Sequence, residues 1–415
     1  MDLESWGRHA PAPVIYINAA YGLEAERLKA LDPSHIVFDT TFMKLRWRDP
    51  ALFSDAEFRK KLCDLPAAKI LRPQDEFVDT VAVDRFAVDI GASLILSCGP
   101  EHEHTKLYPE SSERNIAVRP VLTGYVDEGL LEIARKVRPI AARPVDVGYL
   151  AWRATPWLGR HARLKVEIAE ATRRSPITTT LKAHISLDPT DVRTGDGWLQ
   201  FLSRCKAVIG VQGGASIHDP VGHFRDCGVK YLKDHPGANF TDLEQACFPG
   251  AEGSLDLKCL SPRHLEAAAM GSCQILIKGD FNGALLAGRD YIPVETDLSD
   301  LDQALLQISD KSRLQEIADS ARRRILENVE LRYSDFVEKV ALQCGPYAPA
   351  SDAQQRPDGA LIRHLQRRDR YLTRRVRFEV WLGQRPRLRL FLSGIRKALT
   401  KDGALQPGHS NKTAP

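Results

Sequence analysis

Nowhere does the chain hold 18 consecutive apolar residues, which excludes a membrane-spanning helix of ordinary length. The first twenty residues, MDLESWGRHAPAPVIYINAA, lack the basic start and continuous apolar stretch of a signal peptide, so a cytoplasmic protein is expected. No G-x-G-x-x-G follows a candidate strand and no P-loop is present, which disfavours a nicotinamide dehydrogenase and a P-loop nucleotidase. The eight cysteines (63, 98, 205, 227, 247, 259, 273 and 344) form no C-x-x-C pair. That speaks against a zinc site or a disulfide scaffold, and they read as reduced thiols. No internal repeat of 20–50 residues is evident either.

What is present is ordinary for a globular protein: 415 residues, 43% hydrophobic and 27% charged. That length fits two α/β domains and an appendage. The net charge of +4 hides an asymmetry, because residues 351–415 carry fifteen Lys and Arg against five Asp and Glu. This tail contributes +10 and leaves −6 on the body. Concentrated positive charge attracts phosphate-bearing surfaces, of which membrane lipid and nucleic acid are the two kinds.

The first part of the chain, residues 1–140, alternates short apolar runs with amphipathic stretches, the rhythm of βα units in a parallel sheet. Strands are expected at Val14–Asn18, Ile36–Asp39, Lys69–Arg72, Ser93–Cys98 and Ile116–Val118, with a helix over Asp79–Ile90 stopped by Gly91. The prolines of RPIAARP, residues 138–144, mark an interdomain break. A second α/β series spans residues 141–345, with strands expected at Val145–Tyr149, Thr179–Ile185, Ala207–Val211, Gln274–Ile277 and Tyr291–Val294. Apolar residues from Leu314 to Val340 recur at helical spacing and predict one long helix over residues 312–344. Residues 346–415 read as a linker followed by two basic amphipathic helices, roughly 359–381 and 386–400. The fold class expected is α/β with two Rossmann-like doubly wound domains facing a cleft, plus a basic helical tail.

The segment most charged with chemistry is Ser261–Gly271, SPRHLEAAAMG. Ser-Pro is a good helix entry and Gly271 a good stop, so Arg263 falls in the first turn and Glu266 one turn on. A helix start offers free N–H groups and a positive dipole end that suit a pyrophosphate. There a guanidinium can grip phosphate oxygens, and a carboxylate one turn on can accept from ribose hydroxyls. An unremarkable surface helix fits the same residues equally well.

SPRHLEAAAMGSCQILIKGDFNGAL, residues 261–285, resembles the donor-binding segment of GT-B glycosyltransferases of the group 1 type. The likeness extends to KAVIGVQGGASIHD (206–219) and GAEGSL (250–255), and more loosely to PQDEF (73–77) and GYVD (124–127). The resemblance implies a transferase that moves a sugar from a nucleotide-diphosphate donor to a hydroxyl acceptor. Its acceptor would be a glycan, a lipid-linked molecule or a protein, in cell-surface or other glycoconjugate synthesis. Retaining members of the group carry a second glutamate eight residues before the helix glutamate; that position here is Lys258, with Glu252 and Asp256 nearby as substitutes. Inverting and retaining outcomes both stay open.

The donor contacts expected are Arg263 and Glu266 at the helix start, and Gly213 and Gly214, a pair that lets backbone approach a ligand, with Ser216 and His218 able to hydrogen-bond sugar or phosphate; the resemblance adds a basic residue, Lys165 or Arg160, to neutralise the departing diphosphate. A helix with an exposed basic start is the plainer account of Arg160 and Lys165, and a tight turn that of the glycine pair. On the acceptor side, Asp75 and Glu76 follow a strand and are the candidate bases; His102 and His104 follow another strand and are second choices. The run Glu101–His104 would put both histidines on one side of an extended strand but has no third ligand, and Asp300–Asp302 reads as a helix cap. No metal and no cofactor are expected.

The tail helices fit an anionic membrane surface better than nucleic acid, because Leu388, Phe391, Leu392, Ile395 and Leu399 share a face flanked by arginines and stacking aromatics are few. A cytoplasmic protein, peripheral on the inner face of a membrane, is the corresponding expectation. The rival class is a non-catalytic protein of GT-B fold that binds nucleotide sugar without turnover.

Overall fold

The computed structural model describes residues 2–17 and 25–343. The basic tail of residues 346–415 lies outside the described residues, as does Asn18. Residues 14–17 form no strand; the chain opens instead with a helix, Asp2–His9.

The first sheet has four parallel strands, β1 (His35–Phe38), β2 (Ala68–Leu71), β3 (Leu94–Ser97) and β4 (Ala117–Pro120), in the order β1-β2-β3-β4. With strands in chain order and right-handed crossovers, every connecting helix falls on the same face. Phe53 and Phe86, from two of those helical stretches, stack with ring centroids 4.7 Å apart, and Phe38 of β1 meets Phe86 edge-on at 5.4 Å. The opposite face has to be covered by helices from elsewhere. Trp6 of the first helix, with Phe336, Val337 and Val340 of the Tyr333–Gln343 helix, packs there on Ile70, Leu94 and Leu96.

This division explains why the apolar period from Leu314 to Val340 is not one helix. The Lys311–Glu327 helix buries Leu314, Ile317 and Ala318 against the second sheet. Asn328 then starts a short 3-10 turn, Val329–Leu331, and the final helix crosses to the first sheet. One uninterrupted amphipathic pattern therefore serves two cores.

The second sheet contains β5 (Val145–Leu150), β6 (Ala183–Ser186) and β7 (Cys205–Gly210). A separate antiparallel pair follows, β8 (Gly213–Ala215) with β9 (Leu257–Cys259), before β10 (Cys273–Ile277) and β11 (Ile292–Val294) complete the sheet. All five sheet strands are parallel, in the order β11-β10-β7-β5-β6. The sheet grows outward from β5 in both directions, so winding reverses between β5 and β7. The strand expected at Thr179–Ile185 starts later, because Ser175 and Pro176 begin a 3-10 turn, Pro176–Thr180, in which the Ser175 side chain accepts from the Ile177 amide. Within RPIAARP, buried Arg143 donates to the carbonyls of Cys205 (2.9 Å) and Met270 (2.8 Å), and burial lowers its pKa to about 10.

Between β8 and β9 the chain inserts two helices, His223–Asp234 and Phe240–Cys247, joined by a disulfide between Cys227 and Cys247 with Cα atoms 5.5 Å apart. This corrects the expectation that all cysteines are reduced, since the helices bring together two thiols whose sequence separation of 20 carries no spacing signature. Closing a loop of that length removes chain entropy worth about 3 kcal/mol. Cys247→Ser should therefore lower the unfolding free energy by about 2–3 kcal/mol in urea melts of oxidised protein. Superimposable melts of wild type with and without dithiothreitol would contradict this.

The carboxyl-end loops of the first sheet meet the second sheet's insertion. The Asp79 amide donates to the Asp219 carbonyl (3.0 Å), the Asp219 amide returns a bond to Phe77 (2.8 Å), and Arg225 pairs with Asp79.

Candidate active site

In an open parallel sheet, ligands bind outside the carboxyl ends of the strands where the winding reverses. Here that point lies beyond β5 and β7. Two helices start beside it, Arg160–Arg174 and Pro262–Ala269.

The second of these has the start read from sequence. Ser261 caps it by accepting from the Arg263 amide (3.4 Å), Pro262 occupies the first turn, and the Ser261 amide donates to His264 Nδ1 (3.2 Å). Arg263 reaches back to donate to the Leu150 carbonyl at the end of β5 (2.6 Å), with its guanidinium 4.7 Å over the Trp198 ring. Glu266 accepts from Trp198 Nε1 (2.7 Å), and burial raises its pKa. Trp198 thus organises both expected donor residues. Sequence reading gave Trp198 no role.

Arg160–Arg174 starts at Gly159, whose φ of 84° lies in the left-handed region and whose added Cβ would sit 2.3 Å from Ser216 Oγ. The first amides of this helix are satisfied within the protein: Arg160 N–H by Glu252 (3.0 Å) and His161 N–H by Ser216 Oγ (3.1 Å). The Arg160 side chain is also taken, by Glu244 at 2.8 Å. Lys165 is different. Among the described residues no carboxylate lies within ion-pair distance of it or of Arg263. Burial lowers the Lys165 pKa, the Arg263 charge lowers it further, and Cys259 and Asp75 oppose the shift. Burial, helped by the charges of Asp75 and Glu76, pushes the nearby Cys259 thiol up to about 12, Lys165 notwithstanding. Lys165 and Arg263 are thus two cations close enough to influence one another, the second held at the end of β5.

Gly213, Gly214, Ser216 and His218 lie along the edge of this region. Gly214, at φ 122°, could not carry a side chain, because an added Cβ would stand 1.9 Å from the Leu257 carbonyl oxygen. Its role in this structure is closure of the β8–β9 pair. The Gly213 carbonyl lies 3.3 Å from His161 Nε2. His218 Nε2 is 2.8 Å from Thr80 Oγ1, which opens the Thr80–Asp89 helix between β2 and β3, and burial lowers its pKa. Lys258, on β9 opposite Gly214, is exposed and pairs with Asp256 at 2.8 Å.

Across the seam, the loop after β2 holds Gln74, Asp75 and Asp79 at φ 50°, 55° and 54°, unfavourable for residues with a Cβ. Arg46 steadies it, donating to the carbonyls of both Gln74 and Asp75 at 3.1 Å. The Asp75 side chain is 38% exposed and reaches Lys44 only at 4.0 Å. Glu76 is turned the other way and is 1% exposed, accepting from Ser97 Oγ (2.5 Å), Tyr108 OH (2.5 Å) and the Cys98 amide (2.6 Å). Its burial raises its pKa. An acceptor therefore has access to Asp75 and not to Glu76. His102 is exposed, 3.8 Å from Asp256. His104 is buried against the Gly99 carbonyl at 3.0 Å. The extended strand expected for Glu101–His104 is instead a 3-10 turn entering a helix, so the histidines diverge.

Asp300 and Asp302 do not cap a helix through their side chains: Asp300 accepts from the Glu295 amide (2.8 Å) and Asp302 from Ser175 Oγ (2.6 Å). Among the described residues no group of three or more His, Cys, Asp or Glu is placed to hold a metal ion, and no helix is long and apolar enough to cross a membrane.

No protein-family model and no curated protein matches this chain. Among solved structures it is similar to a glycosyltransferase from Rickettsia africae, at 10% identity and a TM-score of 0.40, over 79% of this chain and 95% of that one. It is also similar to Anabaena HepE in complex with UDP-glucose, at 13% identity and a TM-score of 0.33, over 69% and 76% of the two chains. The match to TarM has 12% identity and a TM-score of 0.36, and covers 69% of this chain but only 52% of TarM, so the chain spans about half of that protein's length.

Proposed function

We propose that this protein transfers a sugar from a nucleotide-diphosphate donor to a hydroxyl acceptor. The observation that carries the reading is the pair Lys165 and Arg263, two neighbouring cations without a carboxylate partner among the described residues, at the winding reversal of the second sheet. A diphosphate supplies the missing negative charge, and that charge grows on the phosphate oxygens as the glycosidic C–O bond breaks. The acceptor oxygen attacks the anomeric carbon, the diphosphate leaves with the bonding electron pair, and the acceptor proton passes to a base. Asp75, across the seam from Lys165, has the exposure for that role; His102 is the second candidate. Glu266 keeps one carboxylate oxygen beyond its bond to Trp198 for donor hydroxyls, and Ser216 and His218 flank the sugar. The scheme invokes neither metal nor cofactor.

Glu266→Ala should weaken binding of the preferred donor by about 1–3 kcal/mol in calorimetric titration, the scale of a lost charged hydrogen bond. Unchanged affinity would remove Glu266 from the site. One observation favours a second reading, a sugar-nucleotide binder without turnover: Lys258 stands at the resemblance's glutamate position, while Glu252 caps a helix and Asp256 pairs with Lys258. A thermal-shift screen with UDP-, GDP- and ADP-sugars, followed by hydrolysis and transfer assays, separates the two. Donor binding with no hydrolysis or transfer for every donor would favour the second.

A further inference from the structure

Trp152 is 65% exposed, more than any other large hydrophobic side chain among the described residues. It stands two residues beyond Leu150, whose carbonyl Arg263 clasps. The β5–β6 ladder persists as far as the Ala151 amide, which donates to Ser186 (3.0 Å), so side chains alternate in direction through this stretch. The flanking residues fix the two directions. Leu150 belongs to the cluster with Trp198, Leu199 and Leu265, whereas Ala151 packs with Ala169 and Leu187 on the opposite face. Arg153 follows Ala151, pairing with Glu170 at 2.9 Å. Alternation therefore returns Trp152 to the Leu150 face, the face of Trp198, Arg263 and Glu266. Among the described residues no aromatic ring stacks on it.

The geometry points to Trp152 as the stacking platform for the donor's nucleobase. The inference rests on the proposed function, since a nucleoside there would be tethered to the diphosphate at Lys165 and Arg263 and pass its ribose by Glu266. At about 3.3 Å per residue the indole stands roughly 7 Å along the chain from the Arg263 contact, within the reach of a nucleoside from its phosphates. A base offers a flat π-face whatever its identity, so the platform serves the nucleoside and leaves the choice of base to other contacts.

The experiment is calorimetric titration of the full chain with UDP, GDP, ADP, UDP-glucose and inorganic pyrophosphate, for wild type, Trp152→Ala, Trp152→Phe and Lys165→Ala. Trp152→Ala is expected to weaken the best nucleoside diphosphate at least fivefold. Trp152→Phe should recover most of that loss, and pyrophosphate should bind wild type and Trp152→Ala alike. Lys165→Ala should weaken nucleotide and pyrophosphate together. Unchanged nucleotide affinity in Trp152→Ala, an equal loss for pyrophosphate, or a loss confined to UDP-glucose would overturn the platform while leaving the diphosphate site intact. A wild type that binds none of the probes would overturn the proposed function as well.

Discussion

Lys165→Ala is expected to slow sugar transfer by about a thousandfold, equivalent to about 4 kcal/mol of transition-state stabilisation. The size follows from where the charge sits. Arg263 is anchored to the Leu150 carbonyl and the Trp198 ring, so its position is set before any ligand arrives. Lys165 has no such anchor among the described residues, and burial, with Arg263 beside it, makes its charge costly. The donor's diphosphate, a dianion when bound, relieves that cost, and the gain is largest as the glycosidic bond opens and the departing group takes on a third negative charge. Lys165→Arg should recover part of the rate, because the charge returns on a longer and planar group. The measurement is single-turnover transfer or donor hydrolysis with the best of the UDP-, GDP- and ADP-sugars. Arg160→Ala serves as the control, since Glu244 already neutralises that guanidinium, and it should fall within about threefold of wild type. Equal losses in the two variants would mean that the unpaired cation is not what the reaction uses.

That contrast also marks where sequence stops being informative. The two sheets are legible because runs such as Ile36–Phe38, Leu94–Leu96 and Gln274–Ile277 are short, apolar and punctuated, and a buried parallel strand needs little else. The start of the Pro262–Ala269 helix is legible for a local reason too, since Ser261, Pro262 and Gly271 act within a few residues of themselves. Which cation is free is a different kind of fact. Arg160 and Lys165 look alike in the chain, and what separates them is Glu244, which a helix inserted between β8 and β9 brings to one of them. Likewise Asp75 and Glu76 are neighbours of the same chemistry. Only the left-handed backbone at Asp75, steadied by Arg46, turns one outward and buries the other on Ser97 and Tyr108. The break at Asn328 is hidden because both halves of the pattern are amphipathic with one period, and the Cys227–Cys247 bond because helix packing rather than spacing creates it.

Acidification from pH 7.5 to 5 should weaken the fold through His264. This imidazole is buried, lies edge-on to Phe281 at 5.0 Å, and accepts the Ser261 amide at Nδ1. That bond assigns the neutral ring with its proton on Nε2. A second proton would place two N–H groups face to face at the start of the helix that carries Arg263 and Glu266. Burial first, then the charge of Lys165, lowers its pKa from 6.5 to about 3. The sign follows directly. Above pH 6.5 the ring is neutral folded or unfolded, and it adds no pH dependence. Between 6.5 and about 3 the unfolded chain takes up a proton that the folded chain refuses, so stability falls as pH falls. The slope approaches about 1.4 kcal/mol per pH unit, for a total of up to about 5 kcal/mol across the window. Buried Glu76 acts in the opposite direction, because its raised pKa makes the folded state hold a proton that the unfolded chain has released. The two are separated by comparison with His264→Gln, in which an amide oxygen accepts from Ser261 without titrating. Urea melts at pH 7.5, 6.5, 5.5 and 5 should show the variant less stable than wild type at the highest pH and the difference narrowing steadily toward the lowest. Parallel pH profiles for the two proteins would show that His264 is protonated as readily in the fold as out of it.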